Sequence, residues 1–344
     1  MQIVAQGAQD KHLTVDPEIT FFKSMHRRHT NFAVESIEQT FNGHVAAGGR
    51  VSTTISRNGD LVHRMWLEID TTGATKLEPT KYGYDLIDNI SVEVGGTRVD
   101  RHYGAWMKIS DDLRCTNGRR AHLTRCVKGT GATQKLRIPL SFWFCRNVGQ
   151  ALPLIALQYH EVKVNVEFSE HAAVNDSKAS LWVDYVYLDT AERQRFARAP
   201  HEYLIEQVQT TGAETLSGTA DKIRLNFNHP VKELVWTASQ MTDAKLQLNG
   251  HDRFTERDAA YFSMVQQYQH HTSQVPGVYV YSFALEPEEL QPSGTCNFSR
   301  IDNATLHLRN TSGNGETLSD AEVYAVNYNV LRVKNGMGGL AFSN

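Results

Sequence analysis

The segment Ile90-Ser-Val-Glu-Val-Gly-Gly-Thr-Arg-Val-Asp-Arg-His-Tyr-Gly-Ala-Trp-Met107 has an echo in the second half of the chain, Ala244-Lys-Leu-Gln-Leu-Asn-Gly-His-Asp-Arg-Phe-Thr-Glu-Arg-Asp-Ala-Ala-Tyr-Phe-Ser-Met264. In each, two alternating apolar positions (Val92 and Val94, Leu246 and Leu248) lead into a dipeptide, Gly95-Gly96 or Asn249-Gly250, that tolerates the positive φ of a tight hairpin. A short polar strand follows, then a segment carrying an aromatic and a Met, Trp106/Met107 or Phe262/Met264. Further pieces match in the same order. Leu140-Ser-Phe142 answers to Tyr281-Ser-Phe283, Val162 to Phe168 to Ala304 to Asn310, and Tyr185 to Leu188 to Tyr328 to Leu331. Arg50 to Ile69, two alternating runs around Asn58-Gly59-Asp60, corresponds to Lys222 to Thr237 around Asn228-His-Pro230. A repeat of about 150 residues is a whole domain rather than a solenoid unit, so the chain reads as one β-domain used twice.

The 344-residue length leaves room for two such domains, each with its own core. The net charge is −3 and no Lys/Arg run exceeds two residues, as at Arg27-Arg28 and Arg119-Arg120. A protein that neutralises phosphates would show a concentrated basic face, so direct nucleic-acid binding is not expected. Cys115, Cys126, Cys145 and Cys296 have no C-x-x-C spacing, and Met1 to Thr20 has no signal-peptide pattern, so reduced, structural cysteines are expected. No stretch approaches a membrane span, and the chain is expected to be soluble and made in the cytoplasm.

Met1 to Asp16 is polar and weakly patterned, which predicts an arm that orders against a neighbour. The segment Phe21 to Phe32 mixes aromatics with positive charge. It is either a contact segment or a cover over the open end of the first sandwich with its arginines snorkelling. Val162, Val164, Val166 and Phe168 form a strict period-2 set with Lys163, Asn165 and Glu167 opposite. A one-residue slip would expose all four apolar side chains and bury the charges, which fixes the register. Thr71 to Tyr84 and Thr116 to Gln134 read as long loops projecting from one end. Asp189 to Arg198 predicts a short charged helix capped by Asp189 or Thr190 and stopped by Pro200, and His201 to Gln209 opens the second half as a strand. In that half Ile223, Leu225 and Phe227 point inward, Pro230 separates two strands, and Ala321 to Leu331 is the final strand. The tail Asn335 to Asn344 looks too glycine-rich for a core element.

Five segments, Thr20 to Phe32, His201 to Gln207, Asn226 to Trp236, Pro292 to Asp302, and Asn327-Tyr-Asn-Val-Leu331 with Gly336-Met-Gly-Gly-Leu340, resemble the major capsid proteins of the nucleocytoplasmic large DNA viruses, in the family's order and across nearly the whole chain. The resemblance implies an all-β double jelly roll of two eight-stranded antiparallel sandwiches, with short helices in loops and at the joint. Three copies would form a pseudo-hexagonal capsomer that tiles an icosahedral shell over an internal membrane. The duplication supports this independently, because one chain must supply two of six near-equivalent corners. His26 stands where many relatives carry an aromatic, and the loops are short. The expected division is an arm over 1–24, a first jelly roll with its linking helix over 25–199, a second over 200–335 and a tail over 336–344.

No catalytic residues, metal or cofactor are expected. His-x-His, nucleophile-elbow, Walker and dinucleotide signatures are absent, and His26/His29 and His270/His271 are the only close histidine pairs. Asn89, Asn175, Asn297, Asn303 and Asn310 lie in sequons expected to be unmodified. The expected partners are two further copies in a homotrimer, neighbouring capsomers, minor capsid proteins and the internal membrane surface. The candidate inter-subunit contacts are Phe21, Phe22, Arg27, Arg28, Phe32, Arg193 and Arg198. The alternatives are a minor capsid or vertex protein of the same fold, and a jelly-roll carbohydrate-binding attachment protein. Against the latter, Thr116 to Gln134 has no Phe, Tyr or Trp to stack on sugars.

Overall fold

The computed structural model describes residues 7–70, 83–128, 135–170, 174, 178–311 and 317–343. The chain separates into a short unit ending at Asn31 and a large unit from Phe32 to Asn344. The short unit, expected to be an unpatterned arm, contains one helical stretch, α1 (Ala8–Thr14), in which the Asp10 side chain accepts from the Gly7 N–H at 2.9 Å.

The first half of the large unit contains β1 (Phe32–Thr40), β2 (Arg50–Thr54), β3 (Leu61–Asp70), β4 (Ile87–Val94), β5 (Thr97–Tyr103), β6 (Lys135–Pro139), β7 (Val162–Phe168) and β8 (Lys178–Leu188). They form two antiparallel sheets, β1-β8-β3-β6 and β2-β7-β4-β5. The pairs β1:β8, β2:β7, β3:β6 and β4:β5 are those of one long hairpin wrapped around a core, which is the jelly roll. Between β5 and β6 lie α2 (Gly104–Arg114) and α3 (Asn117–Lys128), and α4 (Trp143–Arg146) follows β6. Helix α5 (Thr190–Arg198), capped by the Asp189 carboxylate on the Thr190 N–H, leads to the second half.

There the eight equivalent strands are β9 (His201–Thr215), β10 (Ala220–Arg224), β11 (Pro230–Ala238), β12 (Asp243–Leu248), β13 (His251–Asp252), β15 (Val278–Ser282), β17 (Ala304–Arg309) and β18 (Asp320–Lys334). Short additions are β14 (Arg257–Asp258), β16 (Cys296–Asn297) and β19 (Met337–Leu340), and a π-turn over Tyr261–Val265 runs into α6 (Gln266–His270). The sheets are β9-β18-β11-β15 and β10-β17-β12-β13, the same order strand for strand as in the first half. The echoed segments at Ile90 and Ala244 are the fourth-to-fifth-strand hairpin of each roll. Gly95 and Gly96 turn with φ of 60° and 81°, Asn249 and Gly250 with 50° and 82°, the left-handed pair that matches the twist of the flanking strands.

Two cores result. Val51, Ile90, Val92, Val164, Val166, Leu181 and Val183 are among those that fill the first, and Ile223, Leu234, Trp236, Leu246, Leu306 and Val323 among those that fill the second. The alternation in β7 is as the sequence predicts, with Val162, Val164, Val166 and Phe168 all buried. Opposite them, Asn165 donates to the Glu93 carboxylate at 2.8 Å rather than facing open water. The ends of the long strands cross over: Ile205, Leu331 and Val333 are buried in the first core.

Two loop expectations are corrected. Residues 117–128 of the expected loop Thr116 to Gln134 are helical, held by Leu123 and Val127, one turn apart on a face against the first core; two apolar anchors in a polar stretch leave almost no periodic signal. The remainder of that loop at 129–134, and residues 71–82 of the loop Thr71 to Tyr84, lie outside the described residues. The glycine-rich tail is also a strand: β19 pairs with the end of β18 in the register Lys334↔Met337 to Leu331↔Leu340. Asn335-Gly336, with φ of 54° and 79°, is a hairpin turn of the kind already seen twice, and its glycines conceal a strand signal that rests on Met337 and Leu340.

Candidate functional site

The joint between the two rolls is where the chemistry of the chain is concentrated. Helix α2 leaves the end of β5 at Gly104, where a Cβ would stand 2.3 Å from both the Ile87 and Tyr84 carbonyl oxygens. Glycine alone permits that approach. The helix is tied down on its own roll by the Tyr84 hydroxyl donating to the Asp111 carboxylate, which also accepts from Ser141 at 3.3 Å. Burial, then the neighbouring Asp111 charge, pushes the Tyr84 hydroxyl far above its ordinary range, so it remains a donor.

One face of α2 sends Met107 into the first core; the other sends Trp106, Ile109 and Leu113 against the second roll. There they meet Val208 of β9, Val235 of β11, Val280 of β15, and Tyr324 and Val326 of β18, the outer face of one sheet. Backbone-directed bonds frame this contact. The Asp100 carboxylate accepts from the Val208 N–H at 3.2 Å, and the Gln207 amide donates to the Val99 carbonyl.

Beside the apolar patch is a buried ion cluster. Lys232, fully buried in β11, donates to Glu206 at 2.5 Å and to the Pro287 carbonyl at 2.6 Å, and Glu206 also holds Arg146 from the first roll. Glu233, the next residue along β11, pairs with His271 at 3.2 Å and with Arg114 of α2 at 3.7 Å, and His271 bonds Glu288 at 3.0 Å. Burial alone would raise the Glu233 pKa, but the His271 partner and the flanking cations outweigh it and hold the carboxyl at about 2. Burial likewise opposes the charge on His271, and its two carboxylate partners lift it to about 9. The desolvation of Lys232 lowers its pKa, resisted by Glu206. Around neutral pH Glu233 and His271 are therefore oppositely charged, and the cluster as a whole is shared between the rolls. It ties the two halves together. Burial pushes the Cys145 thiol up to about 12 and raises those of Cys115 and Cys296, the inert form of cysteine. Among the described residues no group of three or more His, Cys, Asp or Glu side chains is arranged to hold a metal ion.

The candidate contact residues fall on different surfaces. Within the short unit Phe21 and Phe22 are 90% and 98% exposed, and Arg27 and Arg28 are also exposed. Phe32 begins β1, half-exposed and paired with Leu188. Arg193 is engaged within the chain, its guanidinium 2.9 Å from Asp60, which in turn accepts from the Leu188 N–H at 2.8 Å; Arg198, on the same helix, is exposed. Sequence reasoning passed over Lys232, Glu233, Glu206 and Arg146, and noted His271 only as one of a close histidine pair. Their signal was present: Lys232-Glu233 interrupts Val231 to Trp236, an otherwise apolar strand, and adjacent opposite charges there need partners on both faces.

Comparison with known proteins agrees with the topology. Residues 20–189 match the family described as major capsid protein N-terminus, and residues 192–243 and 237–339 the family described as large eukaryotic DNA virus major capsid protein. The chain is 50% identical to a major capsid protein of Pyramimonas orientalis virus over 398 positions, covering 100% of this chain and 99% of that one. It is 42% identical to that of Paramecium bursaria Chlorella virus 1, with 100% and 99% covered. A solved structure of the PBCV-1 virus capsid superposes with a TM-score of 0.86 at 42% identity, covering 94% of this chain and 100% of that one. With the same wrapped hairpin built twice and relatives aligned from end to end, this chain is a structural protein that belongs to the family of large eukaryotic DNA virus major capsid proteins.

Proposed function

We propose that three copies of this chain form a pseudo-hexagonal capsomer, and that such capsomers tile an icosahedral shell. The observation that carries this is the identical strand order of the two rolls: a subunit with two equivalent blocks, repeated three times, offers six comparable edges to its neighbours. The chain divides for this purpose into an arm over 1–24, a first roll with its linking helix over 25–199, a second over 200–335 and a tail over 336–344. Contacts between subunits draw on Phe21, Phe22, Arg27, Arg28, Phe32, Arg193 and Arg198. The large exposed aromatics and cations of the short unit support that assignment. The partners are neighbouring capsomers, minor capsid proteins and the surface of an internal membrane; the chain acts in the virion after assembly in the host cytoplasm, without catalysis.

Sedimentation of the purified chain at micromolar concentration, neutral pH and physiological salt tests the reading. The expected species has three times the 38.7 kDa of one chain, consistent with permanent contacts burying on the order of 2,000 Å² or more per pair. A persistent monomer would refute it.

A further inference from the structure

The two rolls are equivalent in register as well as in order. Trp66 of β3 lies across from Trp182 of β8 and Pro139 of β6. At the same place in the second roll, Val235 of β11 lies across from Tyr324 of β18 and Val280 of β15. In both rolls the next residue of the third strand, Leu67 or Trp236, points into the core, so Trp66 and Val235 occupy corresponding positions on the outer face.

On the second roll that face is covered by α2 of the first, through Trp106, Ile109 and Leu113. The counterpart of α2 is the continuous helical segment 261–270, which also follows the hairpin after the fourth strand. Its Phe262 is buried in the second core as Met107 is in the first. Its other side presents Met264, Val265 and Tyr268, which are 57%, 42% and 88% exposed. Trp106, Ile109 and Leu113 are spaced as Tyr261, Met264 and Tyr268 are, three and four residues apart. The outer face of the first roll is the matching half. Trp66, Trp182 and Val186 remain only partly buried, and Val34 on the adjoining strand is 56% exposed.

We propose that segment 261–270 of one copy seats on the outer face of the β1-β8-β3-β6 sheet of a second copy, as α2 seats on the β9-β18-β11-β15 sheet within each chain. Met264 and Tyr268 play the parts of Ile109 and Leu113, and Trp66 and Trp182 those of Val235 and Tyr324. The occupant is a second copy because the same chain already makes the equivalent contact once with itself. The two surfaces differ, so the contact is head-to-tail, and each copy gives one helix and receives one. This assignment rests on the trimer reading, in which three within-chain and three between-chain contacts of one kind close a ring of six rolls.

The test uses the full chain in two arms. In the first, Met264→Asp with Tyr268→Asp, both at exposed positions, is expected to leave the circular dichroism spectrum unchanged and to shift sedimentation from trimer to monomer. In the second, a photo-crosslinking amino acid at position 268, in trimers mixed from isotopically light and heavy chains, is expected to join peptides carrying Trp66 or Trp182 of a different copy. This arm needs no destabilising change, so it decides even if the double variant misfolds. A double variant that stays trimeric, or crosslinks mapping to any other surface, overturns the interface and leaves the trimer standing. A wild-type chain that is monomeric at micromolar concentration defeats the trimer reading, and the interface with it.

Discussion

Trp106 of the first roll and Tyr324 of the second pack with ring centroids 5.2 Å apart and planes tilted by 39°, and each is 1% exposed or less. This pair is the centre of the apolar contact that makes two sandwiches one body. Trp106 reaches it because Gly104 allows α2 to start against the backbone of its own roll. Trp106→Ala removes the knob and leaves a void that neither sheet can close. The expected cost is about 3–5 kcal/mol, read as a fall in the denaturant midpoint at constant slope. A loss below about 1 kcal/mol would show that the joint is held by its charges instead.

Gly104, which starts α2, and Gly250, in the hairpin turn of the second roll, differ in what they permit, and substitution separates them. Gly104→Ala drives a methyl to 2.3 Å from two backbone carbonyls that neighbouring structure holds in place. It should cost about 3 kcal/mol or more, in the range of the larger core lesions. Gly250→Ala meets nothing within 4 Å, and its only penalty is a φ of 82°, about 1–2 kcal/mol for an L-residue there. Chemical denaturation of the two variants should rank them in that order.

Glu206 is the hub of the buried charges, holding Arg146 of one roll and Lys232 of the other. With Lys232 fully buried, Glu206→Ala removes the carboxylate that is bonded to both cations. The expected loss is about 3–5 kcal/mol, most of it the penalty of the cations that lose this partner rather than the worth of the bonds. The companion Glu206→Ala/Lys232→Met should recover part of that loss, because a methionine fills the space of the lysine stem without its charge. Equal stability of the single and double variants would contradict this account.

The fold was legible where side-chain pattern and turn chemistry agree. Val162 to Phe168 reads as a strand because its alternation is strict, and Asn249-Gly250 reads as a turn because few residues accept a φ of 50° followed by 82°. The helix at 117–128 was hidden because Leu123 and Val127 anchor it to the core from within a polar run, and β19 because its glycines outweigh Met337 and Leu340. The joint was harder still. Trp106 stands one residue from Met107, yet one serves the interface and the other the core, a division set by the direction of a helix that sequence spacing does not fix. The partners of Lys232 come from residues 26 and 55 positions away, a separation only the folded topology brings together.

The pairing of Glu233, beside Lys232 on β11, with His271 makes the joint sensitive to pH. His271, its side chain 1% exposed, lies between Glu233 and Glu288, and Lys232 and Arg114 of the first roll act on the Glu233 end of the pair. Its pKa is raised from 6.5 to about 9. A raised pKa means that the protonated form is stabilised by folding. That contribution is complete below about pH 6.5 and is lost as pH climbs through 9. Glu233 is depressed from 4.5 to about 2, so its share is present above 4.5 and lost only in strong acid. The cluster is thus strongest between about pH 4.5 and 6.5 and loosens on the alkaline side. For His271 the span corresponds to on the order of 3 kcal/mol. Denaturation of the wild-type chain at pH 6 and at pH 9.5 should differ by roughly that amount, beyond the drift of other groups. His271→Gln keeps a neutral hydrogen-bonding side chain, begins less stable at pH 6, and should lose that part of the pH dependence. If the variant and the wild type decline in parallel, the alkaline sensitivity belongs to other residues and His271 is not its source.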